Sequence, residues 1–479
     1  MSREPLVAED VIARQPPEAQ AIIRLLLARI DQQDRRIAQL EARVNELESR
    51  LGKTPQNSSL PPSSQHPHAK PAPPRRASGK KPGGQPGHPK QERTLIPTEQ
   101  CHAVVTLKPS ACRRCGKSLP PGTDPEPLRH QVWELPKIEP LVTEYRLQRL
   151  SCLDCNVTTC AELPPGVPTG QAGPHLIALV ALLMGCFKQS KRRVALFLEQ
   201  VLNQPCSAGW VVKLQNQATD ALTPAYEELA AQLPSEPVLG VDESPTKEAG
   251  VKSWLWTFVA GSYTLFALRT TRAATVLDDL LTDAFHGVVN CDRAKMYWKV
   301  GRPQWCWAHL KRDFQALVEH PDHQVKRLGH DLMRPTVELF RHWARCRDGT
   351  ITRTGMLRLM RPIRQEIDSL LLRGAFSSNP KLIGMCEPLY DHRNWLWTFL
   401  DVEGVEPTNN VSERALRPAV IWRKLSFGTQ SAKGSRFVET ILTVVETCHR
   451  QSRNSLEYLT AALQAHFAGQ PAPSLLPRV

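Results

Sequence analysis

A chain of 479 residues has room for about three domains. Lys and Arg number 61 against 47 Asp and Glu, and the resulting net charge of +14 points to a polyanionic partner. The longest apolar run, residues 176–187, is too short to cross a bilayer, and the polar, acidic start reads as no signal peptide. A secreted, disulfide-stapled scaffold is therefore not expected; the 13 cysteines, an odd number, read as reduced thiols or metal ligands in a cytoplasmic protein.

Residues 18–52 carry a heptad pattern. Ile23, Ile30, Ile37, Val44 and Leu51 recur every seven residues, and Leu26, Gln33, Leu40 and Leu47 follow each by three. β-Branched residues at a and Leu at d favour a parallel two-stranded coiled coil, which predicts a homodimer. Arg29, Arg36 and Arg43 would then face Asp34, Glu41 and Glu48 of the partner helix. The same pattern also fits an amphipathic helix folded back on its own chain. Residues 53–100 are rich in Pro, Ser, Gly and base, a composition that buries too little apolar area to fold and predicts an extended basic linker.

Two CxxC knuckles, Cys112–Cys115 and Cys152–Cys155, predict a zinc-binding domain over residues 101–165. Four thiolates in tetrahedral geometry suit a structural zinc ion, and the stretch between them has strand-like composition, as a zinc ribbon would. Cys101, His102 and Cys160 lie close enough to leave the ligand set open. Residues 170–233 read as helical. A helix over 191–202, the turn NQPC and a second helix capped by Ser207 resemble a helix-turn-helix, with Lys213, Gln215 and Asn216 on its exposed face; any helical hairpin shares that outline.

Residues 234–450 change to an α/β pattern. EPVLGVD, SWLWTFVA and YTLFALR read as three strands in meander, AATVLDDLL as a short helix and GVVNCD as a fourth strand. Asp242 and Asp292 end the first and fourth strands, and Glu413 opens a segment of helical period. Three such carboxylates can converge on a pair of hard cations that activate an attacking oxygen and stabilise a leaving one on a phosphodiester. Singly, each has a plainer reading: Asp242 as a strand end before a turn, and Glu413 as a capping-box partner of Asn410. Residues 300–405, helical and basic, read as an all-α insertion. Within it Cys306 and His309 share a helix face as potential metal ligands or as packed side chains. Trp305, Trp307, Trp395 and Trp397 read as core or as stacking platforms for an unpaired base. Arg414, Arg417, Lys424 and Arg436 add charge beside and beyond Glu413 and are candidate phosphate contacts, together with Lys213. Residues 451–479 read as a C-terminal tail.

Taken together, the coiled coil, GGQPGH, the CxxC pair, VDES, CDRAKMY, CWAHLKRDF, NNVSERALRP and SAKGSRFVETILTVVET make the chain resemble bacterial transposases of the insertion sequence 66 family. The resemblance runs over most of the chain, in shared order. It implies a multidomain α/β protein with a ribonuclease-H-like core and a DDE triad of Asp242, Asp292 and Glu413 holding magnesium or manganese. It also implies element ends and target DNA as substrates, a nucleoid location and, commonly, small companion proteins. Two departures stand out: Ser244 where relatives often have Thr, and Asp-Arg-Ala-Lys-Met-Tyr where many have Asp-Gly-Tyr-Ala-Gly-Tyr. The rival expectation is a non-catalytic, dimeric zinc-ribbon DNA-binding protein derived from a transposase.

Overall fold

The computed structural model describes residues 9–51, 58–59 and 93–477. Most of the linker expected over 53–100, including the GGQPGH motif, lies outside the described residues. At the N-terminus a short helix α1 (Glu9–Ala13) folds onto the 35-residue helix α2 (Pro17–Leu51), burying Ile12 and pairing Glu9 with Arg24. The heptad positions Leu26, Ile30, Ile37, Leu40 and Val44 are exposed in the single chain. An apolar stripe left in water along a helix this long is what a partner helix would cover.

Strands β1 (Arg149–Ser151) and β2 (Thr158–Cys160) form an antiparallel hairpin whose turn holds the second CxxC knuckle. Of the strand-like stretch between the knuckles, residues 121–148 form no strand, and only its end, β1, pairs.

Helices α3 (Pro174–Gly185), α4 (Lys191–Leu202) and α5 (Ala208–Gln232) follow. The turn and cap fall where the sequence puts them: Ser207 Oγ accepts the Trp210 N–H at 3.1 Å. The second helix runs on to Gln232, however, and packs against α3 and the C-terminal helices rather than standing free. Gln215 is consequently buried, not exposed; Lys213 is exposed.

The sheet contains β3 (Val238–Glu248), β4 (Val251–Val259), β5 (Thr264–Arg269), β6 (Val288–Cys291) and β7 (Arg302–Trp305), in the order β5-β4-β3-β6-β7. β3, β4 and β5 form an antiparallel meander; β6 and β7 join in parallel, and helix α6 (Thr275–Leu281) makes the crossover into β6. The strand β7 departs from the all-helical reading of residues 300–405. RPQW is short and carries a Pro, which an edge strand tolerates. It is tied to the segment that follows the helices: Gln304 Oε1 accepts the Phe399 N–H at 2.8 Å, and Thr398 Oγ1 donates to the strand's Pro303 O at 2.7 Å.

Helices α7 (Trp307–Val318), α8 (His323–Arg347), α9 (Arg353–Ala375) and α10 (Pro380–Asp391) pack in sequence as the insertion, and the short α11 (Thr398–Asp401) returns the chain to β7. Trp305, Trp307 and Trp397 are fully buried, which overturns their reading as base platforms, and Trp395 stacks on His392 with ring centroids 4.0 Å apart.

Helix α12 (Asn410–Ser426) crosses β3 and β4. Helix α13 (Ala432–Arg450) then covers the free edge of β5. Three of its side chains, one per turn, accept three backbone N–H groups of that edge: Thr447 from Thr264 at 3.2 Å, Thr443 from Phe266 at 3.0 Å and Glu439 from Leu268 at 2.6 Å. The β5 edge is thus satisfied and is no template for pairing. The expected tail holds a further helix, α14 (Ser455–Phe467), capped by Asn454 and packed on α3 and α5 through Leu459, Ala462 and Leu463.

Candidate active site

Asp242 and Asp292 come level because of strand register. In the parallel β3–β6 ladder Val238 faces Val288 and Gly240 faces Asn290, a constant offset of 50 residues. Since 292 − 242 = 50, continuing that ladder brings the two aspartates alongside, one strand spacing (about 4.8 Å) apart. Asp292 follows the last residue of β6, whereas Asp242, expected at a strand end, lies inside β3, which runs on to Glu248 in its antiparallel pairing with β4. Each carboxylate is tied locally: Asp242 Oδ1 accepts the Glu243 N–H at 2.9 Å and Asp292 Oδ1 the Ala294 N–H at 2.7 Å.

Glu413 stands in the first turn of α12, near enough for its charge to raise Asp242, although the oxygens of the three carboxylates do not all lie within 4.8 Å of one another. That helix approaches β3 so closely that a Cβ on Gly240 would collide with Ser412 Oγ and press on Asn409 Oδ1; only glycine leaves the room. Asn409 Nδ2 donates to Val241 O at 2.7 Å, one residue before Asp242. Asn290 Nδ2, two residues before Asp292, donates to Glu406 O at 2.7 Å and Thr408 O at 3.1 Å. The segment leading into α12 is therefore stitched to both aspartate-bearing strands.

The electrostatics are those of crowded negative charge. Burial first, and then repulsion from Glu243, Glu413 and Asp292, push the Asp242 carboxyl up to about 8. Arg272, from the loop after β5, offsets part of it: its Nε donates to Glu243 Oε1 at 2.6 Å and its Nη2 lies 3.8 Å from Asp292 Oδ2. The Tyr297 hydroxyl also donates to Glu243. Glu243 is thereby occupied on both oxygens and held apart from the cluster's unpaired groups. Glu413 Oε1 is buried without a hydrogen-bond donor, with His309 Nε2 at 3.6 Å.

His309 joins the site unforeseen in that position. Cys306, His309 and Glu413 are the one group among the described residues in which three ligand-bearing side chains bring their atoms within 4.8 Å of one another. The Cys306 thiol is pushed up by burial and accepts the Asn409 N–H at 3.1 Å, so it serves packing better than metal binding. Burial, then Arg312, lowers His309, whose Nε2 faces Glu413.

Residues 169–436, more than half of the chain, match the family described as Transposase IS66 family. The chain belongs to the IS66 transposase family. The matched span takes in α3 to α12 and all three carboxylates. Residues 8–94 match a family of unknown function (DUF6444). The uncharacterized protein y4qI of Sinorhizobium fredii (strain NBRC 101917 / NGR234) is 24% identical over 263 residues, covering 48% of this chain and 47% of that protein. The IS66 chain thus spans about half the length of that curated relative.

Among the basic candidates, Arg414, Arg417 and Lys424 are exposed on α12. Arg436 is not available in the same way: its guanidinium lies over the Tyr226 ring at 4.3 Å and pairs with Glu227 and Glu439. Arg423, which sequence reasoning passed over, is held by Ser244 Oγ at 2.9 Å and Pro245 O just beyond Asp242. Each knuckle closes on itself in the same way: Cys112 N–H bonds Lys117 O and Gly116 N–H bonds Cys112 O, while Cys152 N–H bonds Val157 O and Asn156 N–H bonds Cys152 O, all at 2.9 Å. Gly116 and Asn156 take the left-handed conformation at φ 72 and 56. Backbone N–H groups, those of Cys115 and Arg114 in one knuckle and of Cys155 and Asp154 in the other, lower the Cys112 and Cys152 thiols. The four sulfurs do not form one group within 4.8 Å. No described helix is long and apolar enough to cross a membrane.

Proposed function

We propose that this chain is a DDE-type DNA transposase that cuts element ends and transfers the freed strand into target DNA. The observation that carries the reading is the shared register of Asp242 and Asp292 with Glu413 delivered beside them by α12. The strand order and the crossover support a ribonuclease-H-like core.

The donor set fits a pair of divalent cations, magnesium or manganese. Clustered carboxylates, one of them pushed up to about 8 and another with an orphaned oxygen, are short of positive charge, and hard oxygen donors match such ions. Asp242, Asp292 and Glu413 would hold them, and the ions would supply activation of the attacking oxygen and charge stabilisation on the leaving one. The chain itself fixes the geometry. Asn409 and Asn290 lock α12 and the segment before it to β3 and β6, Arg272 pairs with Glu243 beside the site, and His309 faces Glu413. Arg414 and Arg417, one and four residues beyond Glu413, present cations to the phosphates flanking the cut. Water cleaves at the element end, and the resulting 3′-hydroxyl attacks target DNA. Metal-dependent cutting and joining of DNA bearing the element ends tests this. Binding without cutting, with companion proteins present, would leave the non-catalytic DNA-binding protein in its place.

The cluster also predicts a pH signature without metal. Asp242 is raised in the folded state, so its contribution is fully favourable below its unfolded value near 4 and is lost as pH rises through about 8. Asp242→Asn should therefore match wild type in Tm near pH 4 and exceed it by about 5 °C near pH 8 in EDTA. Adding magnesium at the higher pH should reverse the order, because only wild type keeps the full ligand set. Equal melting curves at both pH values would count against the crowded cluster.

The exposed seam of α2 supports pairing of two protomers, so that two element ends are held in one complex. Removing residues 1–52 should halve the mass seen by light scattering. An unchanged mass would return the helix to folding back on its own chain.

A further inference from the structure

The solvent face of α12 forms one stripe. Arg414, Arg417, Ile421, Lys424 and Leu425 are all exposed and fall within about 100° of the helix circumference. The stripe begins one residue after Glu413, holds three cations and no acid, and ends at Phe427.

Phe427 is anomalous in two independent ways. Its side chain is 82% exposed, so its ring adds little to the core. Its backbone sits at φ 59, ψ 17, the left-handed C-cap of α12, a conformation that glycine takes freely and a residue as bulky as Phe rarely does. The turn is also rigid. A Cβ on the following Gly428, at φ 106, would strike Lys247 O, and Thr429 N–H donates to Lys247 O while Ala249 N–H donates to Thr429 O, both at 2.9 Å. The β3–β4 hairpin thus pins the ring outward at the end of a basic stripe. A strained backbone that holds an aromatic ring in water gives the fold nothing that glycine would not give better.

We infer that Phe427 stacks on an unpaired base of DNA lying along this stripe. The inference rests on the transposase reading above and adds a base contact to the phosphate contacts of Arg414, Arg417 and Lys424. The charge of the stripe suits a polyanion, and an aromatic face accepts any base. From Glu413 to Phe427 the helix advances about 21 Å, which places the stacked base about six base pairs from the cut.

The test uses the full chain, no divalent metal, and two duplexes of about 30 base pairs, one fully paired and one with a single unpaired thymine about six pairs from an end. Wild type should prefer the duplex with the unpaired thymine by about tenfold, Phe427→Trp should keep the preference, and Phe427→Gly should lose it. Phe427→Gly should at the same time melt no lower than wild type, because glycine relieves the left-handed strain. A preference retained in Phe427→Gly overturns the inference, and so does a fall in its Tm, which would make the ring structural. A drop in oligomeric mass in Phe427→Gly would show that a second copy of the chain covers the face, overturning it also. Failure of wild type to bind either duplex would instead remove the DNA reading on which the inference rests.

Discussion

Asp292→Asn should reduce strand cleavage by at least about 10³-fold while changing DNA affinity by less than about threefold. The substitution is close to isosteric. Asn keeps an oxygen that can accept the Ala294 N–H, so the turn after β6 is preserved, and only the charge facing Asp242 is lost. A hard divalent cation gains most of its binding from ionised oxygen, so the amide is a poor substitute. DNA affinity is expected to depend on other groups: Arg414, Arg417 and Lys424 stand exposed on α12, where the proposed phosphate contacts need no metal. The opposite pattern is expected for Arg414→Ala and Arg417→Ala, which should weaken binding and flatten its salt dependence. The measurement is cleavage of end-labelled DNA beside a binding titration at fixed salt. An Asp292→Asn protein that cuts at the wild-type rate would end the DDE assignment. If wild type binds and neither protein cuts, even with companion proteins added, the non-catalytic DNA-binding protein is the better reading.

The parts of this site visible from sequence are those that leave a local pattern. Apolar β-branched runs leading into Asp242 and Asp292 mark two strands, although β3 continues past Asp242 to Glu248, and NNVSERALRP marks a helix start. What brings them together is not local. Arg272 reaches Glu243 and Asp292 from a loop after β5, and His309 meets Glu413 across 413 − 309 = 104 residues of inserted helices. A single polar side chain that pairs at such range has no period to betray it. The same holds for Glu439, Thr443 and Thr447. Their four-residue spacing on FVETILTVVET is plain once β5 is seen beside them, but alone it reads as an ordinary amphipathic helix. Gly240 was the better clue. A glycine inside a strand signals close approach of another backbone, here the start of α12. Charge by itself misleads, as Arg436 shows: a cation close to the site in sequence is spent on Tyr226, Glu227 and Glu439. So do aromatic residues: Trp305, Trp307 and Trp397, which read as core or as base platforms, are core, while Phe427, which no pattern singled out, is among the exposed rings.

Stripping metal from the chain should unfold residues 101–165 and leave the rest of the described fold in place. No residue in that span is buried, and Leu107, Leu128, Leu141 and Leu153 stand exposed, so hydrophobic burial cannot hold it. A segment of that size without a core needs a staple. The knuckles are built for one: identical hydrogen-bonded turns, each with a left-handed residue after its second cysteine, and backbone N–H groups that favour the thiolates of Cys112 and Cys152. Drawing the two turns onto one zinc ion with Cys115 and Cys155 would gather four sulfurs that now stand in pairs, with a binding free energy of about 10–16 kcal/mol that becomes folding free energy. One zinc per chain is therefore expected by metal analysis. Cys112→Ser or Cys152→Ser should lose it and expose residues 101–165 to protease, as a strong chelator should in wild type. Cys101→Ser should keep the metal, because Cys101 is engaged locally, its thiol donating to Pro97 O at 3.7 Å and accepting from Gln131 Nε2 at 3.4 Å. A chain purified without zinc whose 101–165 segment resists protease would show that the two turns stand without a shared ion. Zinc lost on Cys101→Ser but kept on Cys152→Ser would redraw the ligand set.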